Sequence, residues 1–227
     1  MIKLISITKP LVEGIQTAEE LISYCARVSN PDNQMSTDTA PRLLKYLIKH
    51  KHWSPFEMVS ATFEINTSRA IAAQILRHRS FSFQEFSQRY STATGFEKFE
   101  LRKQGKTNRQ VGDEVLDFGD YVSLVEEIGN VQLSCQKLYQ KMIDMGVARE
   151  CARMILPLST STKLYMSGTI RSWIHYIELR TSKDTQTDHR IIAEAIQDIF
   201  IKEFPVISEA LEWKTNSYYN LCQDQEK

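Results

Sequence analysis

The chain is poor in turn-formers, thiols, net charge and long apolar runs. Its 227 residues include only 8 glycines and 6 prolines, which excludes a fibrous repeat or a glycine- and proline-rich low-complexity chain. The four cysteines, Cys25, Cys135, Cys151 and Cys222, are dispersed, with no Cys-x-x-Cys pair and no compact His/Cys grouping. They read as buried thiols, and no metal is expected. None stands beside a histidine or in a nucleophile motif, which disfavours thiol catalysis. Net charge is missing too, since 28 basic residues cancel 28 acidic ones. No global field therefore draws the chain onto nucleic acid or an anionic membrane. No run approaches membrane-spanning length, and the apolar start MIKLISITKP is too short for a signal-peptide core. A cytoplasmic protein with neither nucleic-acid nor membrane partners is the expectation.

What is present is an ordinary globular composition, 42% hydrophobic and 25% charged, at a length that favours one domain over residues 1–227. The opening residues read as a mostly buried strand ended by Pro10. A first helix spans about 17 to 27 behind a Thr17–Glu20 capping box, and a second spans about 39 to 50. Met58, Ser60, Thr62, Glu64 and Asn66 fall on one face of an extended segment and Val59, Ala61, Phe63 and Ile65 on the other, which predicts a strand; Ser68 caps a third helix to about Arg77. Residues 95 to 112 lack periodicity and read as a surface excursion. An amphipathic stretch from about 114 to 145, with Gly129-Asn130 as a candidate break, completes a variable insertion over 95–147. A short helix to Leu156, a strand over 163 to 168, and helices over about 169 to 179, 188 to 203 and 207 to 213 follow. Helices around a few strands make an α/β domain of the α+β type.

Chemistry concentrates in residues 77 to 90, RHRSFSFQEFSQRY. Arginine forks bind phosphate through paired charge-assisted hydrogen bonds, so Arg77, Arg79 and Arg89 suggest more than one phosphate. Glu85 suits sugar hydroxyls or the orientation of a neighbouring arginine, which together point to a nucleotide. The blander alternative, that Arg77, His78 and Arg79 only complement a helix C-terminus, explains just those three. A nucleic-acid module using the same arginines with Phe81, Phe83 and Phe86 is the other alternative, and the neutral net charge counts against it.

The segment is similar to the signature of the flavin-dependent thymidylate synthases. Arg77-His78-Arg79 is followed after seven residues by Ser87, with Arg89-Tyr90 just beyond. His52-Trp53-Ser54-Pro55-Phe56-Glu57 upstream, and ARECARMILP at 148–157 and TIRSWIHYIELR at 169–180 downstream, resemble three further blocks of that family. The resemblance implies several helices around a small, mostly antiparallel sheet. It also implies reductive methylation of dUMP to dTMP, with methylenetetrahydrofolate as carbon donor and NADPH-reduced FAD as hydride donor. A rival enzyme reading keeps the scaffold as a flavin- or nucleotide-binding oxidoreductase without methyl transfer.

By that resemblance, Arg180 is the main catalytic group, stabilising charge on the pyrimidine in place of a thiol adduct; surface pairing with Glu178 or Asp184 is the alternative. His52 is a second catalytic candidate or a structural histidine. The dUMP contacts map to Gln74, Arg77, Glu85, Ser87, Gln88, Arg89, Arg153 and Arg180. Those of FAD map to Ser54, Glu57, Arg77, His78, Arg79, Glu85, Thr169, Arg171 and His175. Gln88 stands where glycine is frequent, and Thr169 and His175 where some members have asparagine. Trp53 and Trp173 are either stacking platforms or core, and their spacing favours core. A homotetramer with active sites shared between subunits is implied as well.

Overall fold

The computed structural model describes residues 1–92 and 95–215; Cys222 lies outside them. Along the chain the elements are β1 (Ile2–Ile7), α1 (Ala18–Ala26), α2 (Ala40–Lys49), β2 (Ser60–Ser68), α3 (Arg69–Ile75) and β3 (Ser82–Glu85). There follow β4 (Arg102–Gln104), β5 (Gly112–Val115), α4 (Phe118–Asp144), α5 (Arg149–Ala152), β6 (Ser161–Thr169), α6 (Ile170–Arg180), α7 (Thr187–Glu203) and α8 (Pro205–Ala210). The architecture is thus helices around a small antiparallel sheet, as expected.

The main sheet runs β1-β2-β6-β3. Its two nine-residue central strands pair antiparallel from Ser60 opposite Thr169 to Ser68 opposite Ser161. The predicted alternation of β2 decides its faces: Val59, Ala61, Phe63 and Ile65 are buried with Leu164 and Met166 of β6, while Thr62, Glu64 and Asn66 are only partly covered. Apolar residues two apart share a face, so this one sheet face collects the core with Ile71 and Ile75 of α3, Trp173 and Ile177 of α6, and Ile196 and Phe200 of α7.

β2 runs directly into α3 at Ser68, and β6 runs directly into α6 at Thr169; each hydroxyl accepts a backbone N–H of the new helix, from Ile71 and Ser172. The two strand-to-helix corners lie at opposite ends of the antiparallel pair. At the start of α1 the Thr17–Glu20 capping box forms as its sequence predicts.

Three differences from expectation have physical reasons. Ser82–Glu85 forms the edge strand β3 on β6, in a segment for which the sequence predicts no element; an edge strand needs only one apolar face, here carried by Phe83. The long helix α4 continues through Gly129-Asn130 without a break. Gly129 there faces open space, so its cost is limited to about 1 kcal/mol of helix propensity spread over 27 residues. The aperiodic excursion contains a two-stranded ladder, β4 with β5.

One buried charge makes stability depend on pH. Glu19 of α1 is 8% exposed and accepts the backbone N–H of Ile207 in α8 at 2.8 Å. Burial pushes its carboxyl up from 4.5 to about 7, against the opposing pull of the Ile207 and Val206 amides. Because the folded-state value is raised, the group's contribution is fully present below about pH 4.5 and is lost as pH rises through about 7. Glu19→Gln keeps the carbonyl acceptor and carries no charge to bury. Its stability relative to the unsubstituted protein should therefore improve by about 1–3 kcal/mol between pH 5 and pH 8. Urea unfolding at the two pH values measures this, and an identical difference at both would refute it.

Candidate active site

Helix α6 brings most of the chemistry together. Its exposed side carries Arg171 and His175, which with Trp53, Glu57, Ser80 and Ser172 line a cleft of about 540 Å³, a volume in the range of small-molecule sites. Arg171 Nη1 and Glu57 Oε1 form an ion pair across it. Ser54 opens the 3₁₀ turn that ends at Glu57. Three of the residues assigned to FAD therefore share one cleft, and Ser54 stands in the turn that supplies one of them. Thr169 acts more locally, since its hydroxyl caps α6 and donates to Ser172 Oγ at 3.1 Å. Trp53 is a cleft wall, whereas Trp173 is fully buried and donates its indole N–H to Ala61 O at 3.0 Å, which makes it core.

The inner side of α6 ends in a polar cluster. Arg180 donates from Nε to His78 Nε2 at 2.9 Å, and the surface pairing with Glu178 or Asp184 does not form among the described residues. His78 packs edge-on against Tyr176 with ring centroids 4.9 Å apart. Tyr176 and His189, both fully buried, are joined from phenol oxygen to Nε2 at 3.0 Å. His189 Nδ1 lies 3.2 Å from Gln74 Oε1. Burial first, and the Arg180 charge second, hold both imidazoles neutral, His78 at about 4 and His189 at about 3. Burial also pushes the Tyr176 phenol up, which keeps it protonated. A neutral His78 that accepts from Arg180 leaves the guanidinium its full charge, pointed by a fixed partner.

Gly168 makes this cluster possible. A Cβ there would overlap the Phe81 ring, which sits 4.7 Å from Trp173 and 6.4 Å from His78 by centroid. Gly168→Ala should force Phe81 out of place and lower unfolding stability by about 1–3 kcal/mol; an unchanged denaturation midpoint would show that the ring adapts freely.

The arginines of the signature lie at the surface. Arg77, Arg79 and Arg89 are exposed, as is Ser87, and none of the three arginines forms an ion pair among the described residues. Glu85 is already engaged, paired with Arg69 and accepting from Thr162 Oγ1 at 3.0 Å. Two further members of the dUMP set carry an unanswered polar atom: Gln88 Nε2 and Arg153 Nε are buried with no hydrogen-bond partner among the described residues. Buried donors are ordinarily satisfied; Ser23 Oγ and Ser208 Oγ share this state among the described residues. His52 stands apart, exposed at the end of α2 against Tyr46 and His50. Cys25 and Cys135 are half-buried rather than buried and Cys151 is exposed; burial pushes the Cys25 thiol up, away from a nucleophile's range.

A larger cleft of about 800 Å³ between α3, α4 and α7 holds none of the predicted site residues. Its polar edge carries Glu97, Glu100, Glu127 and Asp188 against Lys98, a sign of charge that repels phosphates. The two clefts therefore differ in charge as well as in size. Sequence reasoning missed Arg69, Tyr176, Gln186 and His189. Only Arg69 had a local signal, as a cation following the cap Ser68, because the others meet through the fold.

The thymidylate synthase complementing protein family model matches residues 10–206. The chain is 56% identical over 212 residues to the probable flavin-dependent thymidylate synthase of Paramecium bursaria Chlorella virus 1, covering 93% of this chain and 98% of that protein. It is 48% identical over 215 residues to the flavin-dependent thymidylate synthase of Synechocystis sp., covering 93% and 99%. Its fold is similar to the crystal structure of a UMP/dUMP methylase from Streptomyces cacaoi bound with 5-bromo-UMP, with a TM-score of 0.81, 27% identity and 93% coverage of each chain. With the family model matched across most of its length and both named relatives covered almost entirely, the chain belongs to the flavin-dependent thymidylate synthases.

Proposed function

We propose that the protein converts dUMP to dTMP, with methylenetetrahydrofolate as carbon donor and FAD, reduced by NADPH, as cofactor. The observation that carries the reading is the Arg180 guanidinium aimed by a neutral His78, close in sequence to three exposed arginines that form no ion pair among the described residues. When bound, reduced FAD supplies the hydride that completes the methyl group.

The residues present fit both nucleotides. Arg171, His175 and the Trp53 ring would hold flavin in the 540 Å³ cleft, with His78 and Arg79 toward its phosphates. For dUMP, Arg77, Ser87 and Arg89 offer donors to phosphate, and the unanswered Gln88 Nε2 and Arg153 Nε offer two more. Arg180 stabilises negative charge as it builds on the pyrimidine ring, so that C5 becomes nucleophilic without an enzyme thiol. Glu85, fixed by Arg69 and Thr162, would offer its carboxylate to sugar hydroxyls.

The same reading makes 1–227 one catalytic domain with 95–147 as an added arm, acting in the cytoplasm as a homotetramer. Support for the assembly comes from α4, where Phe118, Val131 and Leu138 are exposed apolar residues on a long helix. No described helix is long and apolar enough to cross a membrane. In an assembly, exposed His52 would meet a site completed by another chain.

Release of tritium from C5-labelled dUMP, dependent on methylenetetrahydrofolate and NADPH, tests the reading. A colourless protein that releases none and binds oligonucleotides in a salt-sensitive way would overturn it.

A further inference from the structure

Behind Arg180 runs a chain of hydrogen bonds whose direction is set at one end. Gln186 Nε2 donates to Asp188 Oδ2 at 3.0 Å, and a carboxylate oxygen accepts. Gln186 must then turn its carbonyl the other way, where it receives Gln74 Nε2 at 2.7 Å. That in turn presents Gln74 Oε1 to His189 Nδ1, 3.2 Å away. Two acceptors cannot face each other, so Nδ1 carries the proton and Nε2 accepts from the Tyr176 hydroxyl at 3.0 Å. The order Tyr176 to His189 to Gln74 to Gln186 to Asp188 is one-way at every link. Reversing either amide alone would place oxygen against oxygen and nitrogen against nitrogen. Burial of Tyr176 and His189 prevents water from repairing such a mismatch.

The consequence falls on Gln74. Its carbonyl is occupied by His189 and one of its two N–H bonds by Gln186, which leaves one N–H with no partner among the described residues. We propose that Asp188 and His189 fix the Gln74 amide as a donor toward the bound pyrimidine, so that the site selects the carbonyl of a uracil nucleotide over the amino group of a cytosine nucleotide. The inference rests on the reading of Gln74 as a dUMP contact and deepens it by assigning that contact to the base. A uracil carbonyl accepts a hydrogen bond where the cytosine amino group donates one, so an amide held in one orientation answers only the first. A site that leaves a buried donor facing a donor rejects that ligand far more strongly than one that is merely a poor fit. His189 and Asp188 need not touch substrate; they act as positioning residues through Gln74.

Asp188→Asn removes the constraint while keeping size and shape. An asparagine amide can donate to Gln186 Oε1, and the whole chain can then reverse, with Gln74 Nε2 turned to His189 Nδ1. Two measurements on the FAD-loaded full chain decide the matter. The first is the imidazole nitrogen spectrum of protein labelled with ¹⁵N-histidine, with the His189 signals assigned by their loss in His189→Leu. His189 should be protonated on Nδ1 in the unsubstituted protein and become a mixture of tautomers in Asp188→Asn. The second is the ratio of dissociation constants for dCMP and dUMP by equilibrium dialysis. It should narrow by about tenfold in Asp188→Asn, the value of one net hydrogen bond, and likewise in His189→Leu, with flavin content unchanged. A proton on Nε2 of His189 in the unsubstituted protein overturns the proposal, as does an unchanged ratio in both variants. If the unsubstituted protein binds no dUMP, it is the functional reading that falls, and the tautomer still decides whether the chain is one-way.

Discussion

Arg180→Ala is expected to retain bound FAD and lose about 100- to 1000-fold in the rate of dTMP formation, the scale of removing one preorganised electrostatic group from a developing anion. The retained flavin follows from geometry, since the cleft assigned to it is lined by Arg171, His175 and Glu57 and does not include Arg180. The lost rate follows from what Arg180 faces: a neutral imidazole takes its Nε–H, so its charge is oriented without being cancelled. Arg180→Lys should fare little better, because an ammonium cannot donate to His78 and reach the pyrimidine as one planar fork does. Removing the guanidinium also lifts one of the influences that hold His78 well below 6.5, burial being the larger. The His78 value should therefore rise, while the ring stays mostly neutral near pH 7. Single-turnover dTMP formation with flavin absorbance in the same sample checks both halves, and a variant with full turnover removes Arg180 from the catalytic role.

The residues that carry this site were legible in the sequence to different degrees, for reasons that particular positions make plain. Ser68 and Thr169 announce helix starts because capping is local, and the alternation of β2 announces its buried face because a strand repeats every two residues. The resemblance assigned Arg77, His78 and Arg79 of one block and Arg180 of a later block to one site, and the fold brings His78 and Arg180 into contact across 102 residues of sequence. What escaped was the support. His189 sits 115 residues from Gln74 and 13 from Tyr176, so neither helical periodicity nor motif spacing relates the three. Edge strand β3 escaped because four polar-rich residues do not repeat long enough to show a period.

The same distinction between local and assembled features governs Arg153. Its Nε is a buried donor without a partner among the described residues, a condition that costs about 1–3 kcal/mol unless something accepts the hydrogen bond. Replacing it with methionine keeps an unbranched apolar stem and removes the unanswered donor. Stability of the free protein should therefore hold or rise slightly, while dUMP loses a charge-assisted hydrogen bond of about 2–3 kcal/mol and binds about 30- to 150-fold more weakly. The two effects have opposite signs, which separates a binding role from a packing role. Saturating dUMP raises the melting temperature of a protein that binds it in the folded state, by about 2.7 kcal/mol of stabilisation at about 100 times its dissociation constant. Arg153→Met should melt at or above the unsubstituted protein without ligand and lose about two-thirds or more of that dUMP-dependent rise. A variant that melts lower alone yet keeps the full rise would make Arg153 part of the scaffold, with Nε satisfied by solvent in the native protein and its link to phosphate broken.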